Sequence, residues 1–580
     1  MPLMPVGDAT TSEPEAALAA PSSLDPRHVG DIEGALGTVG HRETPAGRSR
    51  RARLRLLLVI IGPGLIVMGG GNDAGGVEVY TQMGQDYGMK LLWTLVLLFP
   101  ILYVNQEMVV RLGAVSGVGH ARLIFARFGR FWGAFSVIDL FIINAFTIVA
   151  DFIGVSQSLS FFGLSTYLSV PLTAALLFVA IIGGSYRMWE RFFVFLVILN
   201  FATFPMAFLV DSKVSTSAEG VLPTLPGGLD AGLLLLVVAV VGTTVEPWQL
   251  FFQQSSLVDK RITPRWIRYA RIDLGLGVLV ELVGALVLMM VAAFGLAHTP
   301  AAGNFTDLSD TTDALSAHVG HGVATLVALA LLDGSLIGAN LVGLTTTYTL
   351  GDVFGIRHSL RWKMREAKIF YGVYGVLLAV SAGVVLAAQD HLGLLIDGVE
   401  ALNGVLLPSA IVFLLLLSND RAVLGPWVNS TRQNVVSGVI IWVVVTFSLA
   451  PVVTTFFPDL SLAVILVTLA ICAALGIAAA VLLWRRSMVR GGGAATSGAT
   501  SGVDALTDPA GTVRPPGMSR AAWRTLLAQR RADWRTPALD TLEPAPMSTA
   551  RRLGLLALRG YLIFAVVVLA IKLVDLAMHA

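Results

Sequence analysis

Charge and cysteine are what this chain has least of. Charged residues occupy 13% of its 580 positions, about half the share expected of a soluble domain, which excludes an extensive water-facing surface. The one cysteine, Cys472, lies in an apolar run. A disulfide framework and a cysteine-rich metal cluster are thereby excluded, and the thiol reads as a small packing residue. No charged segment followed by an apolar core opens the chain, so no signal peptide is expected. HExxH, nucleophile-elbow and phosphate-loop motifs are missing too, and no enzyme, resident cofactor or nucleic-acid partner is expected. The net charge of +2 says little until the charges are placed along the chain.

What the chain has is apolar length. Hydrophobic residues make up 55%, and twelve segments reach spanning length. They lie near 54–82, 88–110, 131–162, 168–186, 190–210, 230–256, 267–297, 322–353, 367–389, 392–418, 434–456 and 460–486, with a thirteenth at 555–577. Basic residues alternate between connections. ARLIFARFGR, the Arg187/Arg191 turn, DKRITPRWIRYAR, RHSLRWKMREAK, SNDR to TRQ and WRRSMVR carry Lys and Arg, whereas 298–321 and 457–459 carry almost none. The positive-inside rule then puts the N-terminus in the cytoplasm of a multi-pass plasma (inner) membrane protein, with lipid as its surroundings. Residues 1–50 are rich in Ala, Pro, Ser, Gly and acids and read as a disordered cytoplasmic tail. Residues 51–490 read as the membrane domain. Residues 491–554 read as a cytoplasmic low-complexity and basic linker, with a surface helix around Trp523 and Trp534.

The first span contains GGGNDAGGVE, Gly69 to Glu78. Each interior Gly costs a helix about 1 kcal/mol relative to Ala, and a carboxylate at the bilayer centre costs several more. The sixth span repeats the anomaly as VGTTVEPWQLFFQQ, where Glu246 and Pro247 sit near the midpoint among Thr243, Thr244, Gln249, Gln253 and Gln254. Pro247 lacks an N–H and breaks the helix. Five spans separate the two breaks, so their orientations are opposite. That pattern is the mark of inverted repeats with discontinuous helices, about 54–210 and 230–418. Unwound backbone is tolerated at that depth where it lines a site, and acids beside freed carbonyls suit a cation.

These residues resemble the NRAMP divalent-metal transporters over roughly 52–486. GPGLIVMGGGNDAGG is similar to the first-span motif, in which Asp-Pro-Gly-Asn forms the break. RLGAVSG resembles RLG-x-x-[ST]-G after span two, and LNGVLLP with LLLLSNDRAVLG resembles span ten and its exit. The resemblance implies an all-α, leucine-transporter-like fold with an inverted 5+5 repeat, alternating access, and inward movement of Mn²⁺, Fe²⁺ and related ions, often with protons. The motif Asp falls on Asp73, its Pro on Ala74 and its Asn on Gly76. The sixth-span Met-Pro-His becomes Glu246-Pro247-Trp248, so the soft thioether and the histidine associated with proton movement are both replaced. Asp151 matches an acid of the family's proton route, while the acid one turn later is Gly154. In span ten the usual Gln becomes Glu400.

The candidate metal positions are therefore Asp73, Glu246, Glu400, Gly70, Thr243 and Gly76, with Asp151 and Glu246 as proton carriers. An all-oxygen anionic site, with the Asn and Met side chains gone, points to a hard ion that keeps water, Mg²⁺ or Mn²⁺. The resemblance agrees, because an NRAMP-related branch carries magnesium. Asp333, Asn340, Thr345 to Thr347, Glu281, Asp139 and Asn144 are further intramembrane polar residues, read first as helix-to-helix hydrogen-bonding groups. His391 is read as interfacial and Trp248 as filling volume. Two other classes stay open: a same-fold transporter of an amino acid, amine or other organic cation, and a membrane enzyme or transporter-derived receptor.

A reporter tag fused after Arg490 is expected to be cytoplasmic and one after Ala580 extracytoplasmic. Both tags on one side would show that the last apolar segment does not cross.

Overall fold

The computed structural model describes residues 25–41, 43, 49–210, 220–224, 226, 231–387, 392–456 and 518–545, with scattered positions between 467 and 563. Most of the twelfth and thirteenth expected spans, Cys472, His391 and most of the 491–554 linker lie outside the described residues. Each of the first eleven expected segments coincides with a helix or an interrupted helix. Six of the described helices are long and apolar enough to cross a membrane alone, and up to eight if each bent pair counts as one span.

The elements are α1 (Arg50–Ile60), α2 (Pro63–Gly69), α3 (Ala74–Tyr87), α4 (Leu92–Ser116), α5 (His120–Phe128), α6 (Arg130–Phe161), α7 (Thr166–Ile182) and α8 (Tyr186–Asn200). They continue with α9 (Ala231–Thr244), α10 (Pro247–Asp259), α11 (Ile267–Gly295), α12 (Leu308–His318), α13 (His321–Phe354), α14 (Lys368–Ala387), α15 (Leu392–Ser418), α16 (Thr431–Phe456) and α17 (Arg520–Asp533). The first span is interrupted twice where one interruption was expected. The segment Pro63–Asn72 bends 49° from α1 at Gly62, whose φ of 155° is open to glycine and disfavoured for other residues. A Cβ there would also lie 2.9 Å from both Glu190 Cδ and Lys260 Nζ. The second interruption is the glycine-rich one. Helices α11 and α13 pack against the interrupted spans, α11 along α2 and α3, and α13 against α6 and the turn after α2.

The tails correct the sequence reading. Residues 25–41, expected within a disordered tail, form a hairpin in which β1 (Ile32–Gly34) pairs antiparallel with β2 (Gly37–Val39). Ile32 and Val39 are buried, and the hairpin closes over the face that carries the basic loops. Asp25 accepts hydrogen bonds from the His358 N–H and the Trp362 indole, both at 2.9 Å. The Ala35 N–H donates to Glu190, which also pairs with Lys260, and Arg361 reaches Glu33 at 2.5 Å. Composition missed this because few apolar residues suffice when the partner surface is already built. On the same grounds 518–545 is docked rather than free. The Trp427 indole donates to the Arg531 carbonyl at 2.8 Å, and Thr536 bridges the Val115 and Val423 carbonyls.

His358 and His28 meet edge to face beneath the hairpin with ring centroids 5.0 Å apart. Burial works against a charged His358, but Asp352 at 3.3 Å, the Ile356 carbonyl and Asp25 together raise its pKa from 6.5 to about 9. His28 moves the other way, pushed down mainly by burial. A raised folded-state pKa adds stability that is complete below the unfolded value and is lost as pH climbs through the folded one. For His358 that is on the order of 3 kcal/mol. Thermal melting in detergent is expected to weaken between pH 6.5 and 9. The His358→Gln protein should show a much flatter profile over that window. Equal slopes for the two would show that the charge on His358 does not hold the hairpin.

Candidate cation site

The two breaks are built alike. After α2 the glycines tighten into a 3-10 turn, Gly70–Asn72, and Asp73 leaves the helical region with φ −71° and ψ −166°. Asp73 is the N-cap of α3, its Oδ1 accepting the Gly76 N–H at 3.1 Å. In the sixth span α9 ends at Thr244, and Glu246 is extended with φ −96° and ψ 145°. Pro247 opens α10 at its first position, where a missing N–H is harmless. Each break therefore puts a buried carboxylate, Asp73 at 1% and Glu246 at 0% exposure, at the positive end of a half-helix.

The surrounding helices close on this pair. Asn403 of α15 donates to Glu246 Oε1 at 3.1 Å. The Tyr80 hydroxyl of α3 and the Thr244 hydroxyl of α9, 2.8 Å apart, join the two broken spans. Tyr80 lies within electrostatic reach of Glu281, Asp73 and Glu246. On α13, a Cβ on Gly338 would stand 2.7 and 2.8 Å from the Asp151 carboxylate oxygens and 2.9 Å from Asp73 Cβ. Asp151, expected on a proton route, is thus next to Asp73. One turn earlier on α13, a Cβ on Gly334 would lie 2.8 Å from the Asn72 carbonyl carbon, so only a glycine lets α13 close on the break.

Other expectations are met in part. Asp139 hydrogen-bonds Ser409, and Asn144 donates to Thr346 at 2.8 Å. Asn340 takes the Trp189 indole at 3.0 Å and donates to Tyr374 at 2.6 Å. These are helix-to-helix bonds, as read from the sequence. Thr243 and Gly70 are buried at the breaks, and the Thr243 hydroxyl has no hydrogen-bond partner. Glu400 is in α15, one turn before Asn403; its side chain lies outside the described residues.

One expectation changes and another reaches past the described residues. Among the described residues, no three His, Cys, Asp or Glu side chains stand close enough to hold a metal ion. The expected trio includes Glu400, whose side chain lies outside the described residues; of the other two, Asp73 caps its own helix and Glu246 takes the Asn403 amide. Gly76 does not open a roomy cavity either. A Cβ there would lie 2.7 Å from the Gly71 carbonyl oxygen, and one on Gly70 would lie 3.2 Å from the Trp248 ring. Backbone and indole fill the space that the replaced side chains were expected to vacate.

The sequence reading ranked Glu281 too low. A Cβ on Gly71 would lie 2.6 Å from the Glu281 carboxyl carbon and 2.9 Å from Gln249 Nε2, so α11 brings a carboxylate to the first break. The available signal was a single acid, LVELVG, at the centre of an apolar span.

The comparisons follow the same lines. A family model described as "Natural resistance-associated macrophage protein-like" matches residues 64–454. The chain is 27% identical over 431 residues to a divalent metal cation transporter MntH of Xylella fastidiosa, a match covering 71% of this chain and 88% of the relative. It is 25% identical over 429 residues to an MntH of Staphylococcus aureus, covering 70% and 93%. Among solved structures, a mutant of the Eremococcus coleocola manganese transporter superposes with a TM-score of 0.59 at 20% identity, covering 79% of this chain and 98% of that one.

Asp73→Asn keeps an oxygen able to cap α3 but removes the charge. It is expected to abolish Mn²⁺ binding with melting unchanged, whereas Asp73→Ala should also lose about 1 kcal/mol of stability with the cap. Calorimetric titration of both purified proteins checks this, and wild-type binding by Asp73→Asn would remove Asp73 from the site.

Proposed function

The chain belongs to the natural resistance-associated macrophage protein (Nramp) family, and we propose from this that it is a secondary transporter carrying divalent metal cations across the membrane by alternating access. The observation that carries the reading is the pair of spans broken within the bundle, each with a buried carboxylate at its break, Asp73 and Glu246. The curated relatives named as divalent metal cation transporters support it. The activity is transport and not catalysis. An amino acid or organic anion would need a partner for its own carboxylate, and two acids at the breaks oppose it; the relatives likewise do not favour an amine.

A dehydrating cation needs oxygen ligands as it sheds water. Asp73, Glu246 and the oxygens at Gly70, Gly76 and Thr243 supply them on the halves of two spans that rock against the remaining helices. Glu400 stands in the same helix as Asn403 and joins the set as a candidate. The face bearing the N-terminal hairpin and the basic loops is proposed to be cytoplasmic, with movement inward across the plasma membrane. At the opposite ends of α6, α12 and α13, a cavity of about 200 Å³ lined by Gln157, Ser158, Phe161, Leu308, Thr312 and Leu331 is the candidate outer vestibule. Asp151 beside Asp73, together with Glu246, is the candidate for a linked proton.

Oxygen donors favour hard ions. The close packing of Gly70 against Trp248 and of Gly76 against Gly71 leaves little room for a hydration shell. Mn²⁺, which sheds water more readily than Mg²⁺, is therefore the preferred substrate. Uptake into proteoliposomes, compared for Mn²⁺, Mg²⁺, amino acids and polyamines, tests the reading; uptake of an organic substrate without metal uptake would overturn it.

Glu246→Met exchanges a hard anionic oxygen for a soft sulfur, so relative affinity should move toward Cd²⁺ and away from Mg²⁺. Competition uptake measures the ratio, and an unchanged preference would mean that Glu246 does not face the ion. Adding Gly76→Asn is expected to cost stability, because its Cβ meets the Gly71 carbonyl.

A further inference from the structure

Most buried acids described in this chain have evident partners. Asp273 accepts the N–H groups of Gly62, Gly64 and Leu65 at 2.7–3.1 Å. Asp259 accepts from Tyr348, Ser359 and the Leu360 N–H. Glu190 pairs with Lys260, and Glu107 with Arg111 and Arg271. Glu281 differs from these. It is fully buried near the middle of α11, and neither carboxylate oxygen has a hydrogen-bond partner. A buried acid without a partner is strongly destabilising. Among the described residues the Gln249 amide is the donor within reach, and it does not meet ordinary hydrogen-bond geometry, so protein alone satisfies the carboxylate poorly.

The surroundings of Glu281 are those of a ligand pocket. Helix α11 runs parallel to the first span. Gly277 packs on Met68, Glu281 on Gly71 and Gly284 on the Asn72 amide. Glu281 therefore stands half a turn before Asp73, toward the face that carries the hairpin. The Asn72 and Gln249 side chains are also buried; the Asn72 amide atoms are without hydrogen-bond partners, and the Gln249 amide is directed at Glu281. Gln249 and Glu281 approach the same point over Gly71. One carboxylate, two amide groups and the backbone of an unwound glycine turn are hard oxygen donors in a space shut off from water. The net charge of this pocket is that of the single acid, so it attracts a cation and repels an anion.

We propose that Glu281 is a further ligand of the transported divalent cation: with Asn72 and Gln249 it forms a subsite at Gly71, on the inner side of Asp73, that accepts the ion from Asp73 and helps set ion preference. The proposal rests on the transport reading above. Its chemistry is electrostatic and coordinative, with no bond made or broken beyond exchange of water for carboxylate and amide oxygen.

The test titrates Mn²⁺ and Mg²⁺ into the purified full-length protein, the Glu281→Gln variant and the Asp73→Asn variant, with melting recorded alongside. Glu281→Gln conserves shape and removes charge. As a ligand, Glu281 should cost about tenfold in Mn²⁺ affinity when neutralised, with a changed Mn²⁺ to Mg²⁺ ratio and a metal-free melting curve no lower than that of the wild type. Wild-type affinity and ratio in a folded Glu281→Gln protein would overturn the proposal. If that variant does not fold, Glu281→Asp carries the test, since it withdraws the charge by one methylene: a shifted ion ratio supports the subsite and an unshifted one overturns it. Absence of metal binding by the wild-type protein would sink the transport reading itself, and Asp73→Asn, expected to bind no Mn²⁺, is the control for loss of the main site.

Discussion

A helix interrupted inside a bilayer leaves N–H and C=O groups that water cannot reach, and each must be satisfied by protein or by substrate. Much of this fold follows from how two such interruptions are managed. At both, a carboxylate residue takes the N-cap position, where the half-helix behind it presents unpaired N–H groups and a partial positive charge. Asp73 uses its side chain to cap, while Glu246 leaves its helix uncapped and turns to Asn403. The first carboxylate thus stabilises its own break. The second is held by another helix, and so couples the sixth span to α15.

The glycines opposite the first break belong to the same solution. Gly334 and Gly338 let α13 come so close that the Asn72 carbonyl and the Asp73 and Asp151 side chains share one small region. Dense packing here makes the site a property of several helices at once. Asp151 belongs to α6, against which α13 packs, so joint movement of α6 and α13 away from the first span would separate Asp151 from Asp73, which gives a physical meaning to coupling between ion movement and helix movement.

A second set of buried charges gathers at the ends of the broken spans. Asp273 of α11 gathers three N–H groups at the start of α2, and Lys260, just after α10, donates to the Ile61 carbonyl and pairs with Glu190. Both broken spans are thereby fastened at one end of the bundle, under the hairpin of residues 25–41. Arg111 of RLGAVSG reaches the Trp427 carbonyl and the Asn429 side chain, and Arg127 pairs with Asp420 of SNDRAVLG. The two sequence motifs that resembled the family most thus lie in one polar layer, which Thr536 further bridges.

The sequence by itself determined the membrane class, the positions of eleven of the expected spans and the two breaks. Those features depend on local chemistry: run length, a proline, a row of glycines, an acid with no water around it. Which acids meet was decided by tertiary structure alone. Glu281 is separated from Gly71 by over two hundred positions, and only the parallel packing of α11 on the first span brings them together. Gly76 read as open space, because a missing side chain says nothing of the backbone that approaches it. The hairpin read as disorder, since its few apolar residues gain their burial from a surface made by α1, α8 and the loop after α13. Local composition records what a residue can do, whereas burial and pairing depend on where the rest of the chain returns.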